Sequence, residues 1–195
     1  MQVTYTNRKG KTYYLCEGLT KKGKPRYHFA REPKDKPVDE IPEGYEIRES
    51  VNGVVSLAKK RAALILPDER EAVERAIERH PKARNYRMDI RGKRIVVYER
   101  VGPDVEDLSP MLRRIGQLTS TRLEELQESL DQSARFTPVM RFTLLDKEKR
   151  TFYTERWCYL GSIDDWIDIG PSRSVYLLAQ QFIPLLGTDA LYEVL

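Results

Sequence analysis

The sequence predicts an α+β protein in which antiparallel β-hairpins have amphipathic helices packed on them, arranged as two or three small modules. Short stretches that alternate apolar with polar residues are separated by glycine-containing turns, which is the pattern of β-hairpins. Longer stretches place apolar residues three and four positions apart behind residues that cap helices. The hydrophobic fraction of 40% and the charged fraction of 33% are typical of a globular chain with a large polar surface.

The first module, residues 1–31, is predicted to be a basic, aromatic sheet of three antiparallel strands. The strands are separated by two turns, one containing Gly10 and the other Gly23. A single acid, Glu17, opposes eight basic residues, so the segment has a formal charge of +7, whereas the whole chain has +4. The basic residues are Arg8, Lys9, Lys11, Lys21, Lys22, Lys24, Arg26 and Arg31.

A proline-rich stretch, residues 32–44, is predicted to be a stiff, exposed linker. The second module, residues 45–101, follows it with the predicted order ββαββ. An Asn-Gly turn at Gly53 indicates its first hairpin. Its helix is predicted to begin at Asp68, because Glu71 follows three residues later in the spacing of a capping box.

The third module, residues 102–195, is predicted to contain a helical hairpin, a long β-hairpin and a C-terminal helix. Ser109 and Thr121 have the residue type and spacing of caps for its first two helices. Ser172 or Ser174 is predicted to cap the last helix, which is followed by an apolar tail that docks on the protein.

Two stretches, TNRKGKTYYL at residues 6–15 and GSIDDWID at residues 161–168, resemble uncharacterised bacterial proteins. The resemblance extends over the whole chain. It implies membership of a bacterial family with no assigned activity, and it brings no catalytic or binding residues to this sequence.

Basic turns beside tyrosine-bearing strands match what a protein needs to follow a phosphate backbone and to stack on bases. The sequence therefore predicts a non-catalytic protein whose partner is nucleic acid, with DNA and RNA both left open, and no cofactor. The lysines and Arg26 are expected to bind the phosphate backbone of the nucleic acid. Either Tyr13 or Tyr14 is expected to stack on a base. The predicted contact residues are Lys9, Lys11, Tyr13, Tyr14, Lys21, Lys22, Lys24 and Arg26.

Two alternatives depend on the C-terminal half. Leucine and aromatic residues around Trp157, Trp166 and the tail predict a surface for a protein partner. The acids Asp164, Asp165 and Asp168 suggest a metal-dependent hydrolase, because grouped carboxylates hold divalent cations that activate water. The apolar residues between these acids have the character of packing residues, which argues against convergence of all three carboxylates on one ion.

The chain has no run of about 18 apolar residues, so the sequence predicts no membrane-spanning segment. The first residues lack the apolar core of a secretory signal. Cys16 and Cys158 are distant in sequence and form no CxxC pair, which predicts reduced thiols. Together these features predict a cytoplasmic protein.

Overall fold

The computed structural model describes residues 2–33, 35–102, 120–160 and 163–194. Within these ranges the chain forms four α-helices and eleven strands in antiparallel sheets, which confirms the predicted α+β class. The strands are β1 (Thr4–Thr6), β2 (Thr12–Leu19), β3 (Pro25–Ala30), β4 (Lys36–Pro37), β5 (Tyr45–Glu49), β6 (Val55–Lys59), β7 (Tyr86–Arg91), β8 (Arg94–Val101), β9 (Arg135–Asp146), β10 (Thr151–Leu160) and β11 (Ile163–Asp168). The helices are α1 (Pro67–Glu78), α2 (Ser120–Ser133), α3 (Val175–Phe182) and α4 (Ala190–Glu193).

The chain divides into two compact units. The first comprises Met1–Arg61 and Gly102–Arg135, and the second comprises Ala62–Val101 and Phe136–Leu195. The hairpin β5–β6, which the sequence analysis grouped with α1 and the β7–β8 hairpin, therefore belongs to the first unit.

The first unit contains the predicted three-stranded meander, in the order β1-β2-β3. Its register pairs Tyr5 with Tyr13 and Leu15 with Phe29. The short strand β4 also pairs with β2, so the proline-rich stretch predicted as a linker is tied to the sheet. Val38 completes this attachment, because its N–H donates to the Leu15 carbonyl at 3.2 Å and its carbonyl accepts from the Val3 N–H at 2.9 Å. Proline is tolerated in β4 because this strand lies at an edge of the sheet, where the N–H groups on the outer side need no partner strand.

Buried polar contacts join the β1–β2 turn to the hairpin β5–β6 within the same unit. Asn7, only 4% exposed, donates from Nδ2 to the Gly53 carbonyl at 2.6 Å. The Tyr5 hydroxyl donates to Glu49 Oε2 at 2.9 Å. Burial without a partner costs a polar group about 1–3 kcal/mol, so these bonds specify how the two hairpins pack.

The second unit is built on a five-stranded sheet in the order β11-β10-β9-β8-β7. Helices α1 and α3 contribute their apolar stripes to a shared core with the sheet, as the 3.6-residue periodicity predicted. The fully or almost fully buried members of this core include Val73, Ile77, Ile95, Val97, Met140, Phe142, Phe152, Leu178 and Phe182.

The start of α1 differs from the prediction. The helix begins at Pro67, with Leu66 as the N-cap residue, so Asp68 and Glu71 do not form its capping box. Proline suits the first helical position because the N–H that it lacks would have no helical partner. Glu69, not Glu71, reaches back to the cap and accepts the Leu66 N–H at 2.8 Å. Glu71 instead pairs with Arg75 one turn later.

The predicted cap of α2 is wrong, because Thr121 lies inside this helix, which the structure describes from Ser120. Helix α3 begins directly after Ser174, one of its two predicted caps. The C-terminal tail docks as predicted, since Leu191 in α4 is 3% exposed. The predicted helix that begins after Ser109 lies outside the described residues.

A glycine in the turn before α4 allows a close approach to Tyr86. Gly187 has a φ of +71°, and a Cβ added there would lie 2.7 Å from the Tyr86 hydroxyl oxygen. That hydroxyl donates to Glu99 Oε1 at 3.0 Å, and burial raises the pKa of Tyr86, so the group remains a donor at neutral pH. The position therefore requires both the conformational freedom and the small size of glycine.

We expect Gly187→Ala to lower the free energy of unfolding by about 2–4 kcal/mol, because it adds a steric clash to the strain of positive φ. Gly92→Ala is the matched control, since Gly92 has a similar φ of +63° and open space around it. Urea denaturation of both variants separates the cost of the steric clash from the cost of the positive φ, because only Gly187→Ala has both. Equal losses in the two variants would contradict the close approach to Tyr86.

Candidate nucleic-acid interface

The turn between β2 and β3 is a compact loop closed by hydrogen bonds at its base. The Thr20 N–H donates to the Lys24 carbonyl at 2.8 Å, and the Lys24 N–H donates to the Thr20 hydroxyl oxygen at 3.0 Å. Gly23, with a φ of +73°, donates its N–H to the Thr20 carbonyl at 2.9 Å. The loop is thus held in one shape while its long side chains stay in solvent.

Four cationic side chains lie on this turn and at the start of β3. Lys21, Lys22, Lys24 and Arg26 are all exposed. Among the residues that the structure describes, no carboxylate lies within ion-pair distance of any of these four side chains. We call these four residues the cationic tip.

Three acids of the first unit have other partners. Glu17 lies 3.5 Å from the ammonium nitrogen of Lys36, and Asp35 lies 3.2 Å from Nε2 of His28. Glu49 accepts from the Arg8 backbone N–H at 3.0 Å as well as from the Tyr5 hydroxyl. The charge of the cationic tip is therefore left to interact with solvent and with external anions.

Lys9 is used differently from the lysines of the cationic tip. Its ammonium group donates to the carbonyls of Ala134 at 3.0 Å and Ser133 at 3.4 Å, at the C-terminal end of α2. These carbonyls carry the negative end of the helix dipole, which a cation stabilises. Desolvation, followed by repulsion from Arg8, lowers the pKa of Lys9. Lys9 thus connects two parts of the first unit.

The predicted contact residues do not form one group. Lys9 and Lys11 lie at the turn before β2, and the cationic tip lies at the turn after it. In a meander, successive turns lie at opposite ends of the shared strand, and eight residues of β2 span about 23 Å. Lys11 is exposed, but it lies at the far end from the cationic tip.

The two tyrosines are also separated from the cationic tip. Tyr13 and Tyr14 occupy the beginning of β2, and adjacent residues of a strand point to opposite faces. Both are half-buried. Tyr13 lies across from Tyr5, and Tyr14 lies across from Ala30 on the other neighbouring strand. At most one of the two tyrosines can therefore face a given ligand, and it does so far from the cationic tip.

The three acids of the metal hypothesis lie on β11, which the sequence analysis did not identify as a strand. Strand alternation places Asp164 and Asp168 on one face and Asp165 on the other. Asp165 Oδ1 accepts the Trp166 N–H at 2.7 Å, and Asp168 Oδ1 accepts the Gly170 N–H at 3.3 Å. No group of three His, Cys, Asp or Glu residues in the described ranges is placed to hold a metal ion.

The position of β11 offers another explanation for its acids. It is an edge strand of the five-stranded sheet, and charged residues on edges prevent pairing with strands of other molecules. The sequence does contain a signal for β11. Two runs rich in aromatic and β-branched residues lie on either side of Gly161-Ser162, and this pattern indicates a hairpin.

The aromatic residues of the protein-partner hypothesis largely contact each other. Trp157 and Trp166 form a cross-strand pair with ring centroids 5.2 Å apart and an edge-to-face geometry. The guanidinium carbon of Arg141 lies 4.2 Å from the centroid of the Trp166 ring. Tyr159 is 68% exposed and is the most accessible aromatic residue of this group. A partner surface here would have to be built mainly on Tyr159 and on Tyr192 of the tail, which is 56% exposed.

Within the ranges that the structure describes, no helix is both long enough and apolar enough to cross a membrane. Cys16 and Cys158 are buried as free thiols. The bacterial family resemblance stays a prediction, since comparison with protein-family models, with curated proteins and with solved structures found no match to this chain.

Proposed function

We propose that this protein binds nucleic acid, without catalysing a reaction on it, through the cationic tip of the β2–β3 hairpin. The observation that supports this proposal is the uncompensated charge of the tip. Four cations lie within six residues, while the carboxylates of Glu17 and Asp35 have other partners. A local charge of this density attracts polyanions and releases their condensed counterions.

The chemistry of the side chains suits phosphate groups. Lysine ammonium groups bind phosphates as point charges, and the guanidinium group of Arg26 can donate two parallel hydrogen bonds to one phosphate. Because the Thr20–Lys24 bonds already hold the loop, binding would order only the side chains. Affinity would then come mainly from charge and would depend steeply on salt.

This proposal narrows the predicted contact set. Lys21, Lys22, Lys24 and Arg26 bind phosphates, whereas Lys9 stabilises the end of α2. Lys11, Tyr13 and Tyr14 lie toward the other end of β2, whose eight residues span about 23 Å, and would contact only a ligand long enough to follow the strand.

We expect the triple variant Lys21→Gln, Lys22→Gln and Lys24→Gln to bind a nucleic-acid duplex at least about tenfold more weakly at low salt. Each lost phosphate contact removes about 0.9 from the slope of log affinity against log salt, so the slope should become shallower by about 2–3. Fluorescence-anisotropy titrations at four or more salt concentrations measure both quantities.

The matched control removes the same charge from another exposed basic stretch of the first unit, by Lys59→Gln, Lys60→Gln and Arg61→Gln. This variant should keep most of the affinity and the slope of the natural chain. The proposal fails if the natural chain shows no salt-dependent binding, or if the two triple variants lose affinity equally.

A further inference from the structure

The end of the β2–β3 hairpin carries an apolar pair as well as charge. Leu19 and Pro25 form the last cross-strand pair of the hairpin, so their side chains project from the same face. Pro25 is exposed, and Leu19 is 75% exposed, the highest fraction among the large hydrophobic residues that the structure describes. Leu15, four residues earlier on the same face of β2, is completely buried. The apolar side chain at the end of this strand is thus presented to solvent.

The cationic tip adjoins this pair along the chain. Lys21 and Lys22 follow Leu19, and Lys24 precedes Pro25. Arg26 follows Pro25 in β3, so its side chain lies on the opposite face of the strand. An apolar group flanked by cations is the arrangement with which proteins insert a wedge between base pairs while they hold the adjacent phosphates.

The positions of the aromatic residues argue against a different mode of binding. Single-stranded nucleic acid is bound by aromatic rings that stack on bases beside a basic groove. Tyr13 and Tyr14 lie at the far end of β2, and the ring of Tyr27 packs edge-on against Tyr45 at 6.2 Å. The hairpin end therefore has an aliphatic side chain and a proline ring where a single-strand binder needs a stacking platform.

We propose that the hairpin end inserts Leu19, with Pro25 beside it, between adjacent base pairs of a DNA duplex and thereby kinks the duplex. The proposal rests on the nucleic-acid binding proposed above and assigns the ligand as double-stranded DNA that is easily bent. Insertion of apolar wedges kinks a duplex by about 20–90° and partly unstacks one base step. The lysines would hold the phosphates on both sides of the kink.

The test uses the full chain and a DNA duplex of about 30 base pairs, which is straight and stiff because the persistence length is about 150 base pairs. Dyes at the two ends report bending by energy transfer, and 2-aminopurine beside a central TA step reports unstacking. Anisotropy on the same samples reports binding. The variants are Leu19→Ser and the conservative Leu19→Met, with Val54→Ser as the matched control, because Val54 is 63% exposed near the turn of the other hairpin in the same unit.

The natural chain, Leu19→Met and Val54→Ser are expected to raise the energy transfer and to increase 2-aminopurine fluorescence by about twofold or more. Leu19→Ser is expected to lose both signals while its salt slope stays unchanged and its affinity falls less than about tenfold. Salt-dependent binding of the natural chain without bending or unstacking would overturn the wedge and leave the proposed function standing. Bending of DNA by Leu19→Ser to the same extent as by the natural chain would also overturn the wedge and leave the proposed function standing. Absence of binding at every salt concentration would overturn both proposals.

Discussion

Replacing Arg150 by methionine is expected to lower the free energy of unfolding by about 3–5 kcal/mol, the cost of leaving a buried carboxylate without its partner. Glu69 is 2% exposed, and Arg150 donates to both of its oxygens, from Nε to Oε1 at 2.8 Å and from Nη2 to Oε2. The hydrogen bond to Glu69 is the main cause that raises the pKa of Arg150. Arg150 also donates to the carbonyls of Leu64 at 3.1 Å and Lys147 at 3.3 Å, so the variant removes these bonds as well as both bonds to Glu69.

Chemical denaturation followed by circular dichroism measures this loss. The matched control on the same helix is Arg70→Met, because Arg70 and Glu74 form an exposed pair whose contribution should be below about 1 kcal/mol. The double variant Glu69→Leu with Arg150→Met should regain part of the stability, since it buries no unpaired charge. A loss from Arg150→Met no larger than that from Arg70→Met would show that the buried pair is not formed.

Replacing Arg141 by methionine is expected to cost about 3 kcal/mol for a related reason. Arg141 donates from Nε and Nη2 to the two oxygens of Glu155, each at 2.5 Å, and Glu155 is 8% exposed. Thr143 donates to the same carboxylate at 3.1 Å and cannot neutralise its charge. The variant also removes the cation above the ring of Trp166.

Tryptophan fluorescence gives this variant a second readout, because the chain has only two tryptophans and they contact each other. We expect the emission spectrum to shift in Arg141→Met. It should stay unchanged in the control Arg91→Met, which removes the more exposed pair with Asp89 on the same sheet. An unchanged spectrum and a loss below about 1 kcal/mol in Arg141→Met would contradict the described geometry.

These two arginines explain why the overall charge of +4 was a weak guide to function. Arg141 and Arg150 neutralise buried carboxylates, and Lys9 binds backbone carbonyls, so none of the three is available to a polyanion. The cationic tip differs from these three residues, because no carboxylate among the described residues lies within ion-pair distance of its side chains. Variants at Arg141 and Arg150 should therefore change stability and leave the salt dependence of nucleic-acid binding unchanged.

Local patterns in the sequence were sufficient for most of the secondary structure. Alternation and glycine turns predicted the β1–β2–β3 meander, and apolar spacing predicted the core faces of α1 and α3. These features depend on residues close in sequence, and their periods of 2 and 3.6 residues are visible without a fold. The predicted start of α1 was wrong for a tertiary reason. Arg150, which is distant in sequence, pairs with Glu69 in the core, and Pro67 occupies the first helical position.

The sequence by itself determined that this chain folds as α+β hairpins with packed helices, and that its positive charge is concentrated in the first 31 residues. Only the tertiary structure decided which of those charges are free. Whether a lysine faces solvent, a helix end or a carboxylate depends on residues far along the chain, as with Lys9 and Ala134. The separation of the two basic turns likewise follows from strand pairing, because a shared strand holds its two turns at opposite ends.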